Sequence, residues 1–441
     1  MPNSTKSRRR SRIFGGVAVA GLSVGLLMLS ACGGGAGGSD GAGSTATSSE
    51  AAAGSAAPSA PTGNADSATQ AAIEQAARES MATYHLKSLI IRVTSDGEDV
   101  YTAAMGESMT GVPATPDMHF RNGAMAFTYI GQIFAKLVDA GEVSLDDPLA
   151  NWFPDYPRAD QITIKNLLNM TSGYADYVYQ PELADSLDRD PFKQWTNEEL
   201  LEIGFAGPEQ FAPGTNWGYS HTNYVILGQV LEEITGEPLD AVMEEYIIGP
   251  MGLTATGGNG GTPAIPTPVQ HSFTAERAEY FGVTPTPKAY EEGTFWNPSW
   301  TTAEGAVQTT NIYDMTTSME IVGSGAQVSP EMYQAQTGTN LLGFGSPDPT
   351  GVCSACRTNT DEASYGLGVI RSGPWITQTK SFAGAAASTG YLPSEKLAVS
   401  VSMTYLPEAY ADSGSLNDSS RATFAAVVEA VAPGKGPSQA P

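Results

Sequence analysis

The chain has 441 residues, of which 41% are apolar and 16% charged, and its 22 basic and 47 acidic side chains give a net charge of −25. Length and apolar content allow a sizeable core. A surface this negative repels nucleic acid and anionic lipid, which excludes a nucleic-acid-binding role and leaves solubility, or neutral and cationic partners, as its meaning.

Lys6, Arg8, Arg9, Arg10 and Arg12 precede an apolar run from Ile13 to Leu29, followed by Ser30, Ala31 and Cys32. A basic segment, an apolar segment and small residues make an export signal. The order Leu29-Ser30-Ala31-Cys32 has the form of a lipobox, so residues 1–31 read as a lipoprotein signal peptide and Cys32 as a lipidation site. The apolar run is short for a transmembrane anchor. The expected location is the outer face of a bacterial cytoplasmic membrane, held by lipid. Removal of the signal would leave 17 basic against 47 acidic residues. Residues 32–67, rich in Gly, Ala and Ser, read as a flexible tether, because nothing there offsets the entropy of ordering.

A folded body is expected over 68–433, with 434–441 as a tail. Ile73, Ala76, Ala77 and Met81 have helical spacing in the first segment. "SLIIRVTS" and "EDVYTAAMG" read as strands joined at Asp96-Gly97, a hairpin signal. Phe127, Ile130, Phe134 and Leu137 place one face of a helix in the core. Thr163 caps a short helix ending near Gly173, and "NYVILGQVLEEITG" is an amphipathic helix ending at Gly236. "YGLGVI" and "KLAVSVSMTY" read as late strands and "RATFAAVVEAVA" as a closing helix. The early and late strands must share one sheet to bury their faces, so the class is α+β.

Cys353 and Cys356 stand in "GVCSACRTN", a spacing that suits a redox couple, half a zinc site or a small disulfide loop. Export and polar surroundings favour the local disulfide, with no part in function. Scattered histidines (His85, His119, His221, His271) leave no metal site and no cofactor to expect.

Several stretches together resemble the serine β-lactamase and penicillin-recognising family, in its class C and D-alanyl-D-alanine carboxypeptidase branch. Phe120, Arg121 and Gly123 match its opening motif, Leu145 to Pro148 its following loop, and Thr171, Ser172 and Gly173 its threonine-serine-glycine segment. "FAPGTNWGYSHTNYVILGQVLEEITG" matches its second motif region, and "NPSW" with "AEGAVQTTNIYDM" the region before the late strands. The resemblance implies a five-stranded antiparallel sheet flanked by helices, plus a mostly helical lobe with the active site between. It also implies a nucleophilic serine at a helix start, a lysine one turn on, a proton-shuttling tyrosine, and a basic residue on a late strand for the substrate carboxylate.

Most of that chemistry is missing at the matching positions. Ala124 stands for the nucleophile and Phe127 for the lysine. Tyr219 and Ser220 match the second motif, but His221 replaces its asparagine. The basic position of the third motif falls on Phe382 or Gly384, with Lys380 as the candidate replacement. Phe127 at a buried lysine's place adds apolar surface where a charge would need partners. Tyr219, Ser220, His221, Glu304 and Lys380 are the expected cleft residues. Glu304 is a candidate carboxylate base, and a Ser220–His221 dyad is disfavoured because sequence neighbours point apart. Trp217 and Trp300 read as packing. Three functions stay open: a non-catalytic envelope lipoprotein binding peptidoglycan or a partner protein, a hydrolase of carboxypeptidase or esterase type with atypical residues, and a structural lipoprotein with no ligand.

Overall fold

The computed structural model describes residues 60–258, 261–283 and 290–438. The signal segment, Cys32 and all but the end of the tether lie outside the described residues.

Period-two sequence forms the centre of the molecule. β1 (Leu86–Ser95) and β2 (Glu98–Met109) pair through a turn in which Asp96 and Gly97 both have positive φ, 52° and 82°. That geometry matches a two-residue hairpin and the right-handed twist of its strands. β3 (Val112–Pro113), β4 (Ser364–Tyr365) and β5 (Ile370–Ser372) are short; β6 (Trp375–Phe382), β7 (Ala385–Leu392) and β8 (Leu397–Tyr405) are long. The antiparallel sheet runs β3-β2-β1-β8-β7-β6-β5-β4. It has five long strands, the number the resemblance implies, of which β1, β2 and β8 are those read from the sequence, and three short strands extend its edges.

Alternation sends Leu89, Ile91 and Val93 to one face, with Val399, Val401 and Met403. There they meet α1 (Ser67–Thr83) and the C-terminal helix (Ser420–Val431) through Ile73, Ala77, Phe424, Val427 and Val428. Ile90 faces the opposite way, into a larger core built from α2 (Met125–Ala140), α3 (Ile164–Leu168), and the helices Asn197–Ala206, His221–Thr235 and Ile312–Ser324. α2 is buried almost all round, and Gly141 ends it in a left-handed cap at φ 76°. Thr163 caps α3 in a capping box with Asn166. That helix ends at Asn169, short of Gly173.

Three boundaries differ from the sequence expectations. The tether ends earlier, because Thr62 exchanges two backbone hydrogen bonds with Thr102 of β2 (2.9 and 2.8 Å), and Asp66 caps α1. The tail packs, because Trp375 Nε1 donates to the Lys435 carbonyl (2.7 Å) and Ser372 Oγ to that of Ser438 (3.0 Å). "YGLGVI" is two short strands separated by a turn. Thr128 Oγ1 of α2 donates to the Gly368 carbonyl of that turn (2.8 Å), and a Cβ on Gly368 would lie 2.3 Å from the Phe127 carbonyl oxygen. Only glycine permits that approach. Among the described residues, no helix is long and apolar enough to cross a membrane.

A cationic cleft at the start of the central helix

The cleft lies where the start of α2, the free end of β6, the segment preceding helix His221–Thr235 and the loop Ser354–Arg357 converge, with a volume of about 590 Å³. That is the size of an ordinary small-molecule site.

The turn before α2 positions its lip. Gly123 has φ 57°, and a Cβ there would stand 2.6 Å from Cγ of Lys380, so its bare backbone lets β6 pass. Ala124, at the N-cap of α2, lines the cleft without any functional group. Phe127 follows one turn later, 1% exposed. Its ring stacks on Tyr224 (centroids 4.0 Å, 12°) and meets Tyr219 and His221 at 5.9 and 5.5 Å. The position is therefore filled by an aromatic cluster.

Tyr219 lines the cleft, and burial pushes its hydroxyl well above the usual tyrosine range, so it stays protonated. His221, the first residue of its helix, donates from Nδ1 to Oδ2 of Asp176 at 2.9 Å. Asp176 is 5% exposed, and its other oxygen accepts from the Val178 N–H (3.0 Å). Among the described residues Nε2 of His221 has no protein partner. The sequence reading missed Asp176; the signal for it was an acid just beyond Thr171-Ser172-Gly173, the segment that Ser172 ties to Asn223 (2.6 Å).

Two expected cleft residues are elsewhere. Ser220 is buried and donates to the Ala175 carbonyl (3.3 Å), because the strand-like backbone at this helix start turns it away from Tyr219 and His221. Glu304 is exposed and outside the cleft lining; Ala303 packs against Gly228, which turns its neighbour to solvent. Conversely, Trp217 and Trp300, expected as packing, both line the cleft.

The third motif region is settled by register. Phe382 pairs with Ala385 across the tight turn Ala383-Gly384, so β6 ends there. Lys380 and Phe382 both line the cleft; Phe382 stacks on Trp300 at 5.9 Å. Lys380 is 4% exposed, with Nζ 5.1 Å from the Phe120 ring centroid and no hydrogen bond or ion pair among the described residues. Burial, with the Arg121 charge nearby, pulls its pKa down to about 7, and Asp418 opposes this. Arg121 is 5% exposed, donates to the Pro263 carbonyl (2.8 Å), and is lowered to about 10 by burial. β5 pairs with Trp375–Thr377, so among the described residues the cleft side of β6 has no strand partner from Thr379 to Phe382.

The remaining wall is the Cys353–Cys356 loop, whose sulfurs are bonded. Cys356 bridges to Gly218, and Arg357 lies 4.7 Å over Trp217. The expected local disulfide is thus part of the cleft wall. Among the described residues Arg121, Arg357, Lys380 and Arg421 line this cleft, and no acidic residue does. In a chain of net charge −25 that inverts the partner sign read from composition. Among the described residues no group of three or more His, Cys, Asp or Glu could hold a metal.

An antiparallel sheet backed by helices, with a cleft at the start of a central buried helix, is the β-lactamase/transpeptidase fold. The chain belongs to the β-lactamase family, whose model matches residues 73–419. It is similar to esterase EstB of Burkholderia gladioli, 31% identical over 203 residues, covering 42% of this chain and 50% of that protein. It is also similar to penicillin-binding protein 4 of Amycolatopsis lactamdurans, 32% identical over 178 residues, covering 38% and 44%. The matches thus span about half the length of these relatives or less. Among solved structures, a D-stereospecific amidohydrolase from Streptomyces sp. superimposes with a TM-score of 0.66 at 22% identity, over 83% of this chain and 99% of that one. D-amino acid amidase from Ochrobactrum anthropi does so with 0.68 at 20% identity, over 82% and 98%. At such identities these two show the fold alone.

Proposed function

We propose that this protein is a non-catalytic family member, held at the bacterial cell envelope through a lipidated Cys32, whose cleft binds an acidic peptide-like ligand. A peptidoglycan stem peptide is the first candidate, and a segment of an envelope protein the second. The observation that carries the reading is the start of α2. Ala124 offers no hydroxyl, and Phe127 fills the base's place with a ring stacked on Tyr224. Acyl transfer needs both groups, while binding needs neither. Lys380 and Arg121 suit a carboxylate, and the open side of β6 suits an extended backbone.

The test is intact mass after long incubation of residues 60–441 with a penicillin, alongside calorimetry with acetyl-Ala-D-Ala-D-Ala. No adduct together with saturable peptide binding is expected. A stoichiometric adduct would overturn the non-catalytic reading, and absence of peptide binding would overturn the ligand. Anchoring is tested separately: palmitate labelling of the full chain in a bacterial host should be lost in Cys32→Ala, which should leave the membrane fraction.

One observation favours a second reading, a hydrolase of atypical chemistry. Asp176 orients His221 with Nε2 unpartnered, the arrangement of a general base. Turnover of a p-nitrophenyl ester that disappears in a folded His221→Gln variant would favour it over the binding role.

A further inference from the structure

Among the described residues that line the cleft, Lys380 is the only one with an amine. Other nucleophiles nearby are withdrawn: Tyr219 stays protonated, Ser220 is turned away, and the cysteine sulfurs are bonded to each other. Uncharged Lys380 is a different group from the ammonium that suits a carboxylate. Its chemistry does not depend on the cleft binding a peptide.

The surroundings of this amine are built. Lys380 pairs with Ala387 of β7, and its stem is held against the turn before α2, where a Cβ on Gly123 would stand 2.7 Å from its Cβ and 2.6 Å from its Cγ. The residue is 4% exposed, and Nζ has neither hydrogen bond nor ion pair among the described residues. The Phe120 ring, 5.1 Å away, offsets part of the cost of a charge but offers no strong acceptor. Burial, with the Arg121 charge, pulls the pKa down to about 7 against Asp418, so much of the amine is uncharged near neutral pH. An ordinary lysine is uncharged there to about one part in a thousand or less. Desolvation beside a second cation is an arrangement that makes a lysine nucleophilic.

Two buried donors accompany it. Arg121 donates from Nη2 to the carbonyls of Pro263 (2.8 Å) and Trp296 (3.5 Å), but its Nε has no partner among the described residues. Gln308 also lines the cleft, fixed at the start of α2 by its carbonyl, which accepts from the Asn122 N–H (3.0 Å). Its Nε2 likewise has no partner among the described residues. Buried donors left unpaired are costly, and mark a place for an acceptor.

We propose that Lys380 is a covalent carbonyl-binding site, whose Nζ condenses with the aldehyde or ketone carbon of a small oxo acid while Arg121 and Gln308 take the acid's carboxylate. The nitrogen lone pair bonds to the carbonyl carbon. Both amine protons leave with the carbonyl oxygen as water, and a C=N bond remains. The step needs no oxidant or reductant, and water reverses it, so the site holds its ligand without turning it over. It also needs neither a hydroxyl at Ala124 nor a base at Phe127. Arg121 serves twice, disfavouring the charge on the amine and attracting the carboxylate that brings a carbonyl to it.

The experiment treats the purified protein near neutral pH with glyoxylate and cyanoborohydride, which reduces the imine to a stable carboxymethyl amine, and locates the product by peptide mass spectrometry. Exposed Lys165 and Lys396 serve as internal references. Lys380 should be modified at least about tenfold faster than either, because far more of its amine is uncharged. The fast single adduct in intact mass should vanish in Lys380→Met, and in Lys380→Arg, which keeps a cation. Acetaldehyde, of similar size and without a carboxylate, should show a smaller preference for Lys380 over the references. Modification of Lys380 no faster than that of Lys165 in the unaltered protein overturns the proposal, and so does a fast adduct that persists in Lys380→Met. Equal preference with glyoxylate and acetaldehyde overturns the carboxylate contact to Arg121 and Gln308.

Discussion

The starts of two helices meet in one cleft and have diverged in opposite directions. At α2, Ala124 and Phe127 present only apolar atoms, and Phe127 serves packing: it is 1% exposed and stacked on Tyr224. At helix His221–Thr235, polar groups remain and one is added, because His221 acquires Asp176 as a partner 2.9 Å away. Buried positions can exchange a charge needing partners for a ring needing none. Positions at the cleft surface keep polar groups without a comparable stability penalty, because solvent or ligand satisfies them. One helix start therefore serves the core and the other serves the cleft.

The comparison breaks most visibly if Phe127 is not structural. Phe127→Ala should cost about 3–5 kcal/mol, as for other large buried rings, read by denaturant unfolding. A loss below about 1 kcal/mol would mean the ring is not part of the core packing.

Lys380 sharpens the comparison from the cleft side. Lys380→Met removes a buried cation that has no hydrogen bond or ion pair among the described residues, so the ligand-free protein should gain about 1–3 kcal/mol while peptide binding is lost. pH gives the same result without a mutation. The folded pKa of about 7 lies below the unfolded value of about 10.4, so the unfolded chain binds more protons between them. Stability should therefore rise as pH rises from about 7 toward about 10. Ligand affinity should run the other way: a bound carboxylate favours protonated Lys380, so binding weakens as pH rises above about 7. Affinity that is flat across this range would remove Lys380 from the ligand contact.

Smaller effects test the other helix start. Asp176→Ala deletes the cap on Val178 and the partner of His221, and should cost about 1–2 kcal/mol in thermal or chemical unfolding. Tyr219, Trp217 and the cations would remain in place, so mono-acid peptide binding should change little. The smallest effect belongs to Ala124→Ser. The added hydroxyl has no base beside it, so stability should move by less than about 0.5 kcal/mol, and intact mass should show no penicillin adduct. Ala124→Ser combined with Phe127→Lys restores both groups, but buries a charge in the aromatic cluster, and should lose more stability than it gains in acylation.

Strands β1, β2 and β8, the amphipathic helices and the Asp96-Gly97 hairpin were legible in the sequence, because each depends on local periodicity or turn chemistry. Glu304 and Ser220 were misplaced for a specific reason. Which way a side chain points from a loop or a helix entry is set by what its neighbours pack against, here Gly228 for Ala303 and the Ala175 carbonyl for Ser220. The Thr62 segment joins β2 through backbone hydrogen bonds, and the tail joins β6 by accepting from the Trp375 indole, contacts that composition does not encode.

By itself, the sequence determined the α+β class, the family resemblance and the absence of a serine–lysine pair on the central helix. Tertiary structure alone decided the sign of the cleft. Arg121, Arg357, Lys380 and Arg421 come from the lip of the central helix, a disulfide loop, a late strand and the C-terminal helix, and a net charge of −25 hides them. Charge summed along a chain is a property of composition, whereas the field in a cleft depends on which few charges the fold places within reach of one another.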